Sequence, residues 1–227
     1  MALNFRRSAL VRVAPFAVFM ALLALRGMAP ADGSWGFDPR WLYALQAGAT
    51  AALLALWWRE YGELARQALP NAHDGLLAVA VGLLVFVLWI HLDAPWMTLD
   101  TAATAPFVPK TAEGGLDWPL IVARIAGAAL LVPVMEELFW RSFLMRWLQS
   151  PVFEAVPPRG VGLRAVVLST FVFVLAHTLW LAAAVAGLAY AWLYIRSGKL
   201  WVAVIAHGVT NAALGVWVVA TGNWQFW

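Results

Sequence analysis

Glu136, Glu137 and Arg141 interrupt the apolar run VPVMEELFWRSFLM. On a helix Glu137 and Arg141 stand i,i+4 and share a face, so they can pair and lower each other's cost of burial. Glu136 is rotated about 100° away and lacks that partner. A carboxyl without a partner in apolar surroundings suits a general base or acid working near neutral pH. Pro133 cannot supply a backbone N–H, so it should kink the helix just before Glu136 and open space beside it. The plainer alternative puts Glu136 at a wetted helix end, accompanied by Arg146.

Two further polar sets lie downstream. His177 follows FVFVLA, with Phe173 one turn earlier on the same face, where its ring can pack on the imidazole. On its own, such a histidine is more often an interfacial or interhelical hydrogen-bonding residue than a catalyst. In IAHGVTNAALG, His207 and Asn211 stand i,i+4 on the face of another helix. They can donate toward one point, as a carbonyl oxyanion requires. They can equally bond across to a neighbouring helix, with Gly208 and Ala212 permitting close packing. His73 and His91 flank segment ends and read as interfacial.

The elements that must carry these residues are membrane helices. Hydrophobic residues make up 63% of the 227 and charged residues 12%, with a mean hydropathy of +0.78. A soluble domain has about 45–50% apolar and about 25% charged residues. Cysteine is absent, which excludes disulfides and thiolate metal sites. The pI near 9.7 comes from scattered basic residues that form no patch for a phosphate backbone, so nucleic acid is not an expected partner.

Apolar segments cover residues 8–30, 41–58, 75–92, 118–148, 162–179, 180–195 and 200–221. Most approach the ~20 residues that cross ~30 Å of hydrocarbon. The expected fold is therefore an all-α, polytopic membrane bundle of about seven transmembrane helices. The fourth segment exceeds what a bilayer needs and must tilt, kink or protrude.

With the N-terminus cytoplasmic, the inner segments hold Arg6, Arg7, Arg12, Arg59, Arg66, Arg146, Arg159, Arg164, Arg196 and Lys199. The outer segments hold only Arg26, Arg40 and Lys110, as the positive-inside rule asks. Trp35, Trp41, Trp57, Trp58, Trp89, Trp96, Trp118, Trp180 and Trp201 cluster near segment ends, where indoles suit the headgroup layer. Segment 8–30, with Arg6 and Arg7 ahead and small residues at 29–31, also has the pattern of a secretory signal peptide.

The order EExxxR, FxxxH, HxxxN, each on its own apolar segment, resembles the CPBP family of intramembrane proteases. That family includes the CAAX-processing enzymes and the bacteriocin-related Abi proteins. The likeness covers roughly residues 118–220, and within the family it is nearest a bacterial CAAX-protease-related branch associated with exosortase systems. It implies a division into residues 1–117, with three helices and an outer loop, and a catalytic core of residues 118–227. It implies an endopeptidase of the bacterial inner membrane that acts on membrane-associated protein or peptide substrates. Glu136 and His177 would activate a water, His207 and Asn211 would hold the oxyanion, and Glu137, Arg141 and Phe173 would support the site. No cofactor is expected. The alternative is zinc on Glu136, His177 and His207, although no HExxH is present.

A non-catalytic scaffold or immunity protein of the same fold remains a second reading. A proton-coupled transporter is a third, against which stands the lack of internal repeats. One geometric tension attends the topology. Glu136 lies late on a descending helix and His177 late on an ascending one, which would set them at opposite depths.

Overall fold

The computed structural model describes residues 7–29, 36–99 and 107–227. Arg6, Trp35, residues 30–31 and residues 100–106 of the expected outer loop lie outside them. Among the described residues the chain is helical, with seven helices and no strand. They are α1 (Arg7–Gly27), α2 (Leu42–Leu56), α3 (Ala72–Trp89), α4 (Trp118–Gln149), α5 (Leu163–Leu175), α6 (Trp180–Ser197) and α7 (Leu200–Thr221). Each apolar segment of the sequence becomes one of them. α1, α3, α4 and α7 are long and apolar enough to cross a membrane. α2 has 15 residues and α5 has 13, short of the ~20 a full crossing takes.

Local chemistry sets the ends. Asn71 caps α3 by accepting the Asp74 N–H at 2.8 Å. Asp117 caps α4 by accepting from Leu120 at 3.3 Å, with Pro119 in the first turn where no N–H is needed. α6 and α7 stop at Gly198 and Gly222, whose φ values of 74° and 72° only glycine adopts without strain.

α3 runs along α7 as the most extensive helix pair. The approach is close because Gly82 has no side chain. A Cβ there would collide with the Ala206 carbonyl and the Val209 side chain. α6 lies against both, presenting Ala182, Ala183, Ala186 and Gly187 inwards. On the outside, Leu76, Leu84, Leu130, Leu163, Val167 and Phe171 are exposed. A soluble monomer would not carry such a surface, and on a membrane protein it is the lipid face.

α1 is tied into the bundle by polar contacts. Buried Arg12 makes a two-pronged bond to Glu63 at 2.7 and 2.8 Å, and the Ser142 hydroxyl donates to the same carboxylate. The Tyr61 hydroxyl donates to the Val11 carbonyl at 2.9 Å. Phe16 of α1 stacks on Phe139 of α4 at 4.1 Å.

Candidate active site

α4 is the spine of the site. It has 32 residues, roughly 48 Å at ~1.5 Å each against ~30 Å of hydrocarbon, and it is not uniformly α-helical. Gly127–Leu131 and Leu138–Met145 are wound as π-helix, with the α-helical turns Val132–Glu137 between them. The cause of the first is legible. Pro133 has no N–H for the i−4 carbonyl, and the chain absorbs the defect by widening the preceding turn rather than by a simple kink. In that turn Val132 N–H bonds back five residues to the Gly127 carbonyl. The next bond of this register would run from Pro133 to the Ala128 carbonyl and cannot form. Asn211 of α7 takes its place, donating from Nδ2 to Ala128 O at 2.8 Å. Gly208, one turn earlier on α7, passes so close that a Cβ would lie 2.8 Å from the Ala129 carbonyl.

A cavity of about 240 Å³ opens beside this widened turn. Glu136, Phe173, His177, His207 and Asn211 line it together. Glu136 is half-buried, and its Oε2 is enclosed with no hydrogen-bond partner among the described residues. Such an atom is costly unless something else occupies the site, water or substrate included.

The neighbouring Glu137 is fully buried and points elsewhere. Its Oε2 stands 3.1 Å from Arg141 Nε, and its Oε1 accepts from His207 Nδ1 at 2.9 Å. The Arg141 contact is an ion pair at poor hydrogen-bond angle, since Oε2 has no aligned donor. Arg141 also donates to the Gly187 carbonyl at 3.2 Å and lies between the Phe173 and Tyr190 rings, 4.9 and 5.5 Å away. One carboxylate thus joins a cation on its own helix to an imidazole on α7.

His177 stands beyond the end of α5, which closes at Leu175, rather than on the helix. Its Nδ1 donates to the Phe173 carbonyl at 2.8 Å, a geometry that leaves Nε2 as acceptor in the neutral ring. Phe173 packs against it at 4.3 Å, as the spacing implied, and Trp89 meets it edge-on at 5.9 Å. The expected difference in depth between Glu136 and His177 does not arise. α5 has 13 residues and α4 has 32, so the two helices need not start at the same level for one cavity to reach both side chains. His73 and His91 are exposed and outside the cavity.

Several lining residues escaped sequence reasoning. Tyr190 stacks on His207 at 4.9 Å and donates to Thr210 Oγ1 at 2.8 Å. Thr210 Oγ1 in turn stands 2.8 Å from the Gly82 carbonyl and 3.1 Å from that of Ala206, and gives its proton to one of them. The available signal was Tyr190 itself, a polar-tipped ring on the same face as the small residues of α6. Arg124 also lines the cavity. Among the described residues no group of three or more His, Asp or Glu stands where it could hold a metal ion.

No curated protein and no solved structure matches this chain. Residues 118–213 do match a family, described as type II CAAX prenyl endopeptidase, Rce1-like. The match begins at the first residue of α4 and passes through the polar positions of α7, while residues 1–117 lie outside it. Residues 118–213, which supply most of the side chains lining this cavity, are similar to the Rce1-like family of type II CAAX prenyl endopeptidases.

Proposed function

We propose that this protein is an intramembrane endopeptidase that cleaves membrane-associated peptide segments with a water activated by Glu136 and His177. One observation carries the reading. Glu136 offers a partnerless carboxylate oxygen to a cavity that His177, His207 and Asn211 also line, while the adjacent Glu137 is consumed by structural contacts. Glu136 takes a proton from the water as it attacks the carbonyl, and Nε2 of neutral His177 accepts a second hydrogen bond from that water. His207, held through Nδ1 by Glu137, turns its Nε2 side toward the oxyanion. Asn211 adds its amide N–H that is not spent on Ala128. Glu137 and Arg141 position His207.

The catalytic groups all come from residues 118–227, with α3 of the preceding part buttressing α7. The protein sits in a bacterial inner membrane with its N-terminus cytoplasmic, as ten basic residues on inner segments against three on outer ones support. The reading requires no metal.

Glu136→Gln tests it. The amide keeps the shape of the carboxyl but cannot take a proton, so cleavage of membrane-anchored peptides should vanish while the melting temperature stays within a degree or two. Substantial residual cleavage in Glu136→Gln, with loss on chelation and recovery on adding zinc, would show a metal-activated water instead. A scaffold would show no cleavage in the parent chain.

A further inference from the structure

Arg124 is a cation in a membrane-spanning helix that the mechanism above does not use. Its guanidinium lies over the Tyr43 ring at 4.4 Å and near the Phe107 ring at 5.3 Å. Tyr43 is pinned there. Its hydroxyl donates to the Arg124 carbonyl at 3.3 Å, and Gly127 in the π-turn leaves room for it, since a Cβ would sit 2.5 Å from that oxygen. Ring faces attract the charge but offer no oxygen or nitrogen acceptor to its N–H groups. Nε is enclosed without a partner, and among the described residues the side chain makes no ion pair or hydrogen bond. The two fully buried arginines differ. Arg12 has Glu63 and Arg141 has Glu137.

A second cation aggravates the imbalance. Arg26 of α1 comes within 5.5 Å of the same Tyr43 ring, and its described polar partner is the neutral Gln46, at 3.2 Å. Two guanidiniums flank one ring with no described carboxylate between them. Ionised groups inside a membrane protein ordinarily pair or mark a ligand path. Arg124 lines the same cavity as Glu136.

Resting on the protease reading above, we propose that Arg124 is the subsite for a carboxylate of the peptide substrate. Its planar fork of donors matches a carboxylate by two parallel bonds. α4 rises roughly 18 Å between Arg124 and Glu136, a distance that about five extended residues span. The carboxylate therefore stands about five residues from the bond cut. It belongs either to the peptide's C-terminus or to an acidic side chain, and the shared chemistry is the same.

The test titrates the full chain, carrying Glu136→Gln so that nothing is cut, in neutral-detergent micelles. The probes are an N-palmitoylated hexapeptide of alanine and leucine as free acid, as C-terminal amide, and as amide with one internal aspartate. At least one carboxylate form should bind about ten- to a hundredfold more tightly than the plain amide, and which one does identifies the source. Adding Arg124→Gln should erase that ratio and leave the affinity for the amide unchanged. Arg124→Lys should fold and keep only part of the ratio, because it retains charge without the fork. Equal binding of all three probes, or a ratio undiminished by Arg124→Lys, overturns the proposal. So does displacement of the acid probe by phosphatidylglycerol vesicles at lower concentration than by free amide peptide, which makes a lipid phosphate the ligand. Cleavage by the parent chain is read separately. Cleavage without acid–amide discrimination sinks the carboxylate subsite alone, and discrimination without cleavage sinks the protease reading alone.

Discussion

Glu137 and Asn211 each serve two masters, and substitutions there should fail in different ways. Glu137→Gln strips a fully buried anion from between Arg141 and His207, leaving a cation uncompensated. We expect a stability loss of about 3–5 kcal/mol, seen as a lowered unfolding midpoint in detergent, together with slower cleavage. Asn211→Ala removes one oxyanion donor, which typically costs about 100–1000-fold in rate. It also orphans the Ala128 carbonyl, so a further stability loss of about 1–3 kcal/mol should accompany the rate loss. Kinetics and thermal melts on the two variants separate these effects. The Glu137–Arg141 pair was legible because i,i+4 spacing is a local property of a helix. The His207–Glu137 bond was not, since nothing in either motif says that the two helices meet. The second task of Asn211 was hidden for the same reason.

Among the elements, α1 is held through the loop that carries Glu63. Burial works against the charge on Glu63, but the Arg12 fork and the Ser142 hydroxyl outweigh it and hold the carboxyl below its ordinary value. A group whose folded value is depressed stabilises above its unfolded value, about 4.3, and loses that contribution as pH falls through the folded value. The unfolding midpoint should therefore drop as the pH is lowered from about 6 toward 3, and Glu63→Gln should flatten that part of the profile. Sequence reasoning found every helix, because apolar run length decides membrane helices. It expected a kink at Pro133 where the structure has a π-turn. Residue types show that an N–H is missing but not which carbonyl register the chain will adopt in reply. It also carried the fifth helix through His177, whereas α5 ends at Leu175 and lets the histidine turn into the cavity.

Across the whole molecule the testable statement is orientation. The loop over residues 93–117 should be extracytoplasmic, so a phosphatase reporter fused there should be active and a cytoplasm-dependent reporter silent. The reverse pattern would invert the bundle. A different consequence follows from the widened turn of α4. Pro133 creates a vacancy in one helix that a side chain of another, distant in sequence, must fill. The two positions are thus epistatic. A chain that replaces Pro133 with an ordinary residue can heal its own helix, and Asn211 then loses the acceptor that orients it. A chain that loses Asn211 while keeping Pro133 strands a carbonyl. Measured singly, both changes should look harmful, and together they should cost less stability than their sum. A lineage that has taken one of these steps then meets a smaller penalty on taking the other.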